Sequence, residues 1–408
     1  RAGSLTVRQG HPGTGPSRKI VCRTSTPFPD KAQRPIAAGG LQMNRVELRE
    51  LRAALEGYTR RSTALAGGLF LIDLAVYALA VAGAVYLENP ALKALCAVVA
   101  GGVISAIFVI AHDAAHGAYT DSKMLNKLIG RLAFLPALHN YSLWQIAHNR
   151  QHHRVTNLKG RNSWSPMSKA EYDALPAWRR MIERLYRSPL GLGAYYLVER
   201  WWKDKFFPTR RVVKRRQAVH WLDFALVTTY LTVFLGGLAY VGALLPQTGP
   251  WGAVLWGFVV PFAVWNSAMG FTVYLQHTNL RVPWFDELDQ LLRLDGQHDV
   301  TVHVRFPRWY GHISHDIMEH PAHHLAPKIP LYHLKQAQDA LARLLGERMI
   351  SERFTPGGFL RTMARCKLYD YKDHRWLDFE GRPTSGLTVS GARLEAATAS
   401  AGSAPKAA

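Results

Sequence analysis

The chain has 408 residues, with 50 Lys and Arg against 29 Asp and Glu, and a formal net charge of +21. Such a charge would suit nucleic acid, but the basic residues are mixed with aromatic side chains beside apolar segments, as in residues 195–207. That mixture is typical of a lipid headgroup region, so we expect a membrane as the partner and exclude nucleic acid. The three cysteines are isolated, which excludes a disulfide framework and a thiolate metal site.

The N-terminal part of the chain predicts two different segments. Residues 1–42 are rich in Gly, Pro, Ser, Thr and Arg and have no apolar periodicity, so we predict a disordered leader. Residues 43–63 place apolar side chains at helical spacing. This spacing predicts an amphipathic helix that lies at the membrane interface before the first span.

Four apolar stretches are long enough to cross a bilayer, and they comprise residues 64–87, 91–111, 224–245 and 251–275. The shortest has 21 residues, which at about 1.5 Å per residue matches a hydrocarbon core of roughly 30 Å. One such stretch could be a buried helix of a soluble protein, but four in two close pairs indicate two helical hairpins in a membrane. We predict an all-α integral membrane fold with four transmembrane helices beneath a helical cap.

The distribution of charge predicts the side on which the cap lies. Residues 112–217 carry 20 Lys and Arg, whereas the turns at 88–90 and 246–250 carry none. Basic loops stay on the cytoplasmic side of a membrane, so we expect the cap and both termini there. The cap includes the C-terminal segment 346–383, and the Ala-, Ser- and Gly-rich residues 384–408 predict a disordered tail.

Fifteen of the 18 histidines fall within residues 112–153 or 277–333. Eight of them form three boxes, which read His112-Asp-Ala-Ala-His116, His148-Asn-Arg-Gln-His152-His153 and His320-Pro-Ala-His323-His324. Spacings of three to five residues place imidazoles on one helical face, where several can converge on a metal ion. The second and fourth spans run directly into His112 and His277, so we expect both rings at one depth just outside the bilayer. The boxes therefore predict a metal site where the cap meets the membrane.

The residue pattern alone leaves the metal open, because imidazole binds Zn, Cu, Fe and Ni. Eight or nine histidines exceed the four ligands of a structural zinc site and suffice for two ions with open positions. The first box differs from the zinc-protease pattern His-Glu-x-x-His at Asp113, so zinc hydrolysis is the weaker interpretation. A non-catalytic metal binder or transporter is also weaker, because its ligands should lie near the bilayer midplane.

Several polar residues near the boxes could orient a ligand by accepting its ring N–H, or could be ordinary solvated residues. They are Asp113, Asn149, Asp316 and Glu319. His315 is open as a further ligand, His312 is expected at the surface, and Asp73 lies inside the first span without an evident partner. Six other histidines are expected to be structural or exposed: His139, His220, His298, His303, His333 and His374.

In the spacing and placement of its boxes, the chain resembles the membrane fatty acid desaturases, which are integral-membrane non-haem di-iron enzymes. The similarity extends over roughly residues 64–340, and residues 275–278, which contain His277, resemble the plant and bacterial Δ12-type branch. The resemblance assigns residues 64–345 to a desaturase domain. It implies nine metal ligands: His112, His116, His148, His152, His153, His277, His320, His323 and His324.

The resemblance also implies an activity. With O2 and two electrons, a pair of iron ions would introduce a C=C bond into a long acyl chain carried by a lipid. The electrons would come from a separate protein, ferredoxin or cytochrome b5. No catalytic residue beyond the ligands is expected, because a ligating imidazole must be neutral and does no acid–base work. The boxes do not distinguish this activity from that of a hydroxylase or ketolase acting on lipid, alkane or carotenoid.

Overall fold

The structure is a computed structural model that describes residues 45–389, except residues 211, 214 and 294–299. The predicted leader, most of the predicted tail and His298 lie outside the described residues. The beginning of the tail packs back onto the cap, where the Thr384 amide donates to the Trp376 carbonyl (2.8 Å) and the Thr388 amide to the His374 carbonyl (2.7 Å). The prediction of disorder therefore does not hold for residues 384–389.

Helices make up most of the described chain. They are α1 (Arg45–Leu55), α2 (Thr63–Tyr86), α3 (Pro90–His116), α4 (Lys123–Phe134), α5 (Tyr141–Gln145), α6 (Lys169–Asp173), α7 (Ala177–Tyr186), α8 (Leu192–Tyr195), α9 (Ala218–Ala243), α10 (Gly249–Val254), α11 (Val260–His277), α12 (Leu288–Arg293), α13 (Arg308–Ile313), α14 (His320–Leu325), α15 (Leu331–Leu345) and α16 (Pro356–Arg365). Short 3₁₀ turns span Glu56–Thr59 and Gly346–Arg348. Three helices continue in π-helical geometry: α5 through Ile146–His152, α8 through Tyr196–Phe206 and α10 through Leu255–Val259.

Four helical segments are long and apolar enough to cross a membrane, and each overlaps one of the four predicted spans. They are α2 with 24 residues, α3 with 27, α9 with 26, and the continuous segment Gly249–His277 with 29. The third begins at Ala218, six residues before the predicted start at 224. Asp223, in the second turn, is buried by the cap and accepts from Arg131 Nε (2.7 Å) and from the Ser142 amide (2.8 Å). Hydropathy alone could not place this start, because cap contacts compensate for the polar side chains.

Close packing of α3 against α11 brings two predicted ligands together. A Cβ atom added to Gly101 of α3 would lie 2.5 Å from Val264 Cβ of α11, so only glycine permits this approach. Small residues serve the same purpose in many membrane helix pairs. At the cap end of the two helices lie His112 and His277.

The cap contains strands as well as the predicted helices. Strand β1 (His303–Arg305) pairs in parallel with β2 (Ser351–Arg353), and β3 (Leu368–Asp370) pairs antiparallel with β4 (Arg375–Leu377). An aromatic core beneath β3 and β4 includes Trp164, Trp284 and Trp376, all fully buried. The cap is therefore mostly helical, with two small two-stranded sheets.

The amphipathic helix predicted over residues 43–63 is shorter, since α1 ends at Leu55 and a 3₁₀ turn follows, and protein covers part of its apolar face. Leu51 and Leu55 are buried in a cluster with Leu334 and Leu341 of α15. Arg348 Nη1 also pairs with Glu47 Oε1 of α1 (2.6 Å). These leucines therefore contact the cap instead of the membrane surface that their spacing led us to expect.

Candidate metal centre

The first box lies on the last two turns of α3, as predicted from the end of the second span. Its final residue, His116, is followed by Gly117 in the left-handed conformation (φ 63°), which ends the helix. His112 Nδ1 donates to Asp113 Oδ1 (2.9 Å), and Asp113 Oδ2 accepts from the Leu331 amide (2.5 Å). Asp113 thus holds the His112 ring and ties the first box to the start of α15.

The second box is π-helical, whereas its spacing predicted an ordinary helical face. The His153 amide donates to the His148 carbonyl, a hydrogen bond of i→i+5 type (3.0 Å). The wider turn brings His153 close to His148, with ring centroids 4.6 Å apart. Trp144 stacks on the other side of His148 at 4.1 Å between centroids. The π-turn allows neighbouring residues His152 and His153 to reach different clusters.

The remaining predicted ligands come from α14 and from the end of α11. All three histidines of α14 are buried, and Pro321 occupies its first turn. His277 is the last residue of α11, and its Nδ1 lies 3.2 Å from the Val300 carbonyl. The backbone N–H of Ala322 donates to Gln338 Oε1 (2.8 Å), which anchors α14 on α15.

The nine predicted ligands form two groups, and in each group one nitrogen from every ring lies within 4.8 Å of the others. The five-histidine cluster comprises His112, His116, His148, His153 and His323. The four-histidine cluster comprises His152, His277, His320 and His324. The second and third boxes each contribute to both clusters. The structure therefore brings all nine residues into two adjoining sites.

Hydrogen bonds to Nδ1 orient several of these rings. In addition to the His112 and His277 contacts, His152 Nδ1 lies 3.2 Å from Asn162 Oδ1. Thr156 Oγ1 donates to the His152 carbonyl (2.7 Å), and it lies 3.3 Å from His324 Nδ1. Because the threonine hydroxyl has used its hydrogen, it accepts from His324. Each acceptor fixes a hydrogen on Nδ1 and leaves the Nε2 lone pair for a metal ion.

The contacts between rings fit a metal ion in each cluster. His153 Nε2 lies 3.0 Å from Nε2 of both His148 and His323, and His277 Nε2 lies 2.9 Å from His320 Nε2. A neutral imidazole nitrogen has one hydrogen or one lone pair, so His153 Nε2 can make a full hydrogen bond with only one neighbour. Nitrogens bound at about 2.1 Å and at right angles to one ion would be about 3.0 Å apart. An ion in each cluster would thus give these nitrogens a common partner at the separations that they already have.

A further ring nitrogen supports this fit. His116 Nε2 is buried and has no hydrogen-bond partner in the part of the chain that the structure describes. Leaving a buried polar atom unsatisfied costs about 1–3 kcal/mol. Coordination of an ion in the five-histidine cluster would remove that cost.

Burial keeps the box histidines of the cap in the neutral form. Removal from water lowers the pKa of each well below its ordinary value of 6.5, and charge on neighbouring rings lowers it further. The residues concerned are His148, His152, His153, His320, His323 and His324. At neutral pH they are therefore unprotonated, which is the form that binds metal.

A cavity of about 200 Å³ adjoins both clusters. Rings from each cluster line it: His112, His148, His152, His277 and His320. Apolar side chains of α3 and α11 line its membrane side, including Phe108, Val109, Trp265, Met269 and Val273. Three cationic residues, Arg161, Arg200 and Lys205, share the same cavity. The cavity is therefore apolar where it meets the spans and basic in the cap.

Lys205 is the most buried of the three cations, at 3% exposure. Its pKa is lowered to about 7, chiefly by burial and in addition by the neighbouring Arg200, while Asp204 acts in the opposite direction. Arg200 Nη1 in turn pairs with Asp204 Oδ2 (3.0 Å). Lys205, Asn162 and Thr156 were not predicted as functional residues, because no sequence motif marks them. Thr156 lies four residues after His152, and that helical spacing was the one available signal.

The polar residues considered beside the boxes have different roles. Of the four candidates for orienting a ligand, Asp113 accepts from a box histidine, His112, whereas Glu319 Oε2 pairs with His303 Nε2 (2.7 Å). Asn149 Nδ2 donates to the Ala115 carbonyl (3.0 Å). Asp316 is half-buried, and within the described residues no hydrogen bond joins it to a box histidine. Glu319 and Asn149 thus contact groups other than the side chains of the box histidines.

The remaining histidines outside the boxes lie mostly where they were expected. His315 Nε2 lies 2.7 Å from Asp73 Oδ2. This contact gives Asp73 the partner that the sequence did not reveal, and His315 belongs to neither cluster. His312 is exposed, as expected. Others are buried and hydrogen-bonded, such as His139, whose Nε2 lies 3.0 Å from the Tyr196 hydroxyl.

Together these features define a membrane protein whose four apolar helices carry, at the cap, two adjoining histidine clusters that could hold metal ions. The model of the fatty acid desaturase family matches residues 88–356, which is more than half of the chain. The chain therefore belongs to the fatty acid desaturase family. It is an oxidoreductase that desaturates fatty acids, as the histidine boxes led us to expect.

Similar proteins agree with this membership. The chain is 28% identical over 279 residues to an sn-1 oleoyl-lipid 12-desaturase of Picosynechococcus sp., covering 68% of this chain and 77% of that protein. It is 27% identical over 280 residues to the chloroplastic omega-6 fatty acid desaturase of Spinacia oleracea, covering 69% and 60%. It is 29% identical over 340 residues to an sn-1 acyl-lipid omega-3 desaturase (ferredoxin) of Synechocystis sp., covering 80% and 86%. The similarity to the Δ12-type branch is confirmed at this modest identity.

Proposed function

We propose that the protein desaturates an acyl chain of a membrane lipid at a pair of iron ions, with the nine clustered histidines as ligands. The observation that carries the proposal is the sorting of three boxes and His277 into two clusters on one cavity. His112, His116, His148, His153 and His323 would hold one ion, and His152, His277, His320 and His324 the other. Iron bound there would supply the redox chemistry by which O2 accepts two hydrogens from the acyl chain. The overall reaction converts CH2–CH2, O2, two electrons and two protons into CH=CH and two waters.

The protein's own residues would position the acyl chain and keep water away. Phe108 and Met269 give the membrane side of the cavity an apolar wall, along which methylene groups could lie. Trp265 is fully buried at this wall and packs edge-on against His139, with centroids 5.1 Å apart. Arg200 and Lys205 offer donors to polar groups of the substrate at the cap side. An acyl lipid has the same division into an apolar chain and a polar end.

The electrons would come from a separate protein, and ferredoxin is the first candidate. A ferredoxin-dependent acyl-lipid desaturase is among the relatives, at 29% identity. The cap is basic, since residues 112–217 carry 20 Lys and Arg. Basic surfaces steer acidic redox proteins to their partners. The same excess of cations supports a cytoplasmic position for the cap and for both termini.

A test of this function compares acyl-lipid profiles of cells that express the wild type, His152→Ala, His323→Ala or His312→Ala. The first two variants remove one ligand from each cluster, and the third removes an exposed histidine outside both. We expect a new unsaturated acyl chain with the wild type and His312→Ala, and its loss in both cluster variants. Purified wild type should contain two irons per chain, with less in each cluster variant.

The mass of the product separates desaturation from hydroxylation. A product lighter by two hydrogens identifies a desaturase, and a product heavier by one oxygen identifies a hydroxylase and refutes the proposal. Activity that survives in both cluster variants would refute the assignment of the ligands. Co-expression with ferredoxin or with cytochrome b5 would identify the donor.

A further inference from the structure

A second, larger cavity lies outside the candidate metal centre, between α4, the π-helical end of α5 and the loop before α9. It has a volume of about 630 Å³. Four cationic residues line this basic cleft: Lys127, Arg131, Arg150 and Arg215. No carboxylate is among its described lining residues. The cleft therefore has the charge of an anion-binding site.

Most of this charge has no counter-ion in the protein. Arg131 Nε pairs with Asp223 Oδ1 (2.7 Å), and its guanidinium lies 5.0 Å from the centre of the Tyr141 ring. Lys127, Arg150 and Arg215 are exposed and form no ion pair with any residue in the described ranges. Three uncompensated cations thus face one cleft. Their mutual repulsion would be relieved by an anion bound between them.

The cleft lies where the chain enters the membrane. Val219 and His220 of its lining belong to the first turn of α9, the third span. On α4, Met124, Leu128 and Leu132 are exposed by 75%, 54% and 45%. Their i, i+4, i+8 spacing forms an apolar stripe on one helix face. Such a stripe beside basic residues is typical of a helix at the lipid interface.

An aromatic residue marks the same depth. Trp221, one turn into α9, is 48% exposed, and the Arg216 guanidinium lies 5.9 Å from the centre of its ring. Trp is enriched at the boundary between headgroups and hydrocarbon, and Lys or Arg lies on the headgroup side. The basic cleft therefore opens at the depth of lipid phosphates.

We propose that the basic cleft binds the phosphate of an anionic glycerophospholipid, whose acyl chains lie along the apolar stripe of α4 and the start of α9. Arginine presents paired N–H donors that match a phosphate group, and Lys127 adds a point charge. The position favours lipid over an acidic protein, because acyl chains would cover the exposed leucines beside the cleft. This inference does not depend on the metal or on the reaction.

A bound lipid would also support the second box. The back of the cleft contains Gln145 and Asn149, whose side-chain amides both donate to the Ala115 carbonyl, at 2.9 and 3.0 Å. Asn149 follows His148 directly, and Ala115 precedes His116. A lipid in the cleft would therefore lie behind the helix that carries three of the predicted ligands.

The test uses the purified full chain in a mild non-ionic detergent, titrated with phosphatidylglycerol or phosphatidylcholine and followed by native mass spectrometry. The cleft variant Lys127→Gln, Arg150→Gln, Arg215→Gln removes three charges. The matched control removes three exposed cations that line neither cavity and form no ion pair within the described residues: Arg353→Gln, Arg361→Gln and Lys372→Gln. Size-exclusion profiles and melting temperatures verify that each variant is folded.

We expect one saturable phosphatidylglycerol site in the wild type and in the control. Because each basic residue near an anionic lipid contributes about fivefold in affinity, the cleft variant should bind roughly 100-fold more weakly. The charge-retaining variant Lys127→Arg, Arg150→Lys, Arg215→Lys should keep the saturable phosphatidylglycerol site, even if the Gln variant is unstable, with a smaller loss of affinity than the Gln variant because lysine lacks the paired donors of arginine. Phosphatidylcholine should bind equally to all four proteins.

Three outcomes would overturn the proposal. An equal loss of phosphatidylglycerol affinity in the cleft and control variants would mean that only the net charge of the protein matters. Displacement of phosphatidylglycerol by inorganic phosphate at equal concentration would assign the cleft to a free phosphate. Unchanged lipid binding in the cleft variant, together with weaker binding of a ferredoxin probe, would assign the cleft to an acidic protein.

Discussion

Replacing Asp113 by Asn would remove the charge that joins the first box to the cap. In the wild type, the buried Asp113 carboxylate accepts from His112 Nδ1 (2.9 Å) and from the Leu331 amide (2.5 Å). An asparagine has one acceptor oxygen and an amide that only donates. The asparagine amide nitrogen must therefore face either the Leu331 N–H, which is also a donor, or His112 Nδ1, which can accept only in the tautomer that carries its hydrogen on Nε2.

The expected cost follows from these two contacts. A hydrogen bond to a charged group contributes about 1.5–3 kcal/mol, and a buried donor left without an acceptor costs about 1–3 kcal/mol. We therefore expect Asp113→Asn to lower the free energy of unfolding by about 3 kcal/mol. If Asn keeps the Leu331 contact, the His112 ring loses the group that fixes its tautomer. Loss of such a contact weakens metal binding by about 10- to 100-fold.

Two measurements check this expectation. Chemical unfolding in detergent gives the change in stability, and iron competition against a chelator of known affinity gives the change in binding. Asp121→Asn is the matched control, because Asp121 is exposed and has no hydrogen bond or ion pair through its side chain in the described chain. If Asp113→Asn stayed within about 0.5 kcal/mol of the wild type and kept its iron, Asp113 would not orient His112.

Three further outcomes are expected. Thr156→Val should cost about 1 kcal/mol and reduce iron in the four-histidine cluster, because the contact between the Thr156 hydroxyl and His324 Nδ1 is lost, whereas Thr156→Ser should not. Lys205→Met should raise the melting temperature more at pH 6 than at pH 10. The folded pKa of Lys205, about 7, lies below its ordinary value of 10.5, so the cost of its burial is full below pH 7 and is relieved as the pH rises. An equal rise in melting temperature at pH 6 and pH 10 would refute this expectation. The metal-free protein should lose stability as the pH falls below about 6.5, where the unfolded chain protonates the box histidines but the fold does not. A flat melting temperature from pH 7 to 5 would contradict it.

The sequence was sufficient for features whose signal is local. Apolar runs of bilayer length predicted all four spans, and the i, i+4 spacing of His112 and His116 predicted their place at the end of α3. The start of α9 was placed six residues late, because His220 and Asp223 look unfit for a span. Their partners, Ser142 and Arg131, are more than 75 residues away in the chain.

The division of ligands between two clusters could not be predicted. It depends on the π-helical turn of the second box. No residue type in that box indicates a π-helical rather than an α-helical hydrogen-bond pattern. Similarly, Glu319 has the spacing to support His323 but pairs with His303 on β1. Asp73 and His315 are 242 positions apart, so neither residue reveals the other. Long-range pairing, and not local propensity, decides such contacts.

The interleaving of the boxes has a consequence for biosynthesis. The five-histidine cluster needs His323, and the four-histidine cluster needs His320 and His324, all of which follow the fourth span in the chain. A nascent chain that ends before the third box has four of the five residues of one cluster and only two of the four residues of the other. The five-histidine cluster is complete only when His323 has been added, and the four-histidine cluster only when His324 has been added. Filling of both sites would therefore follow synthesis of all four membrane helices, so the apoprotein would receive its full set of ions only after the fourth span has been made.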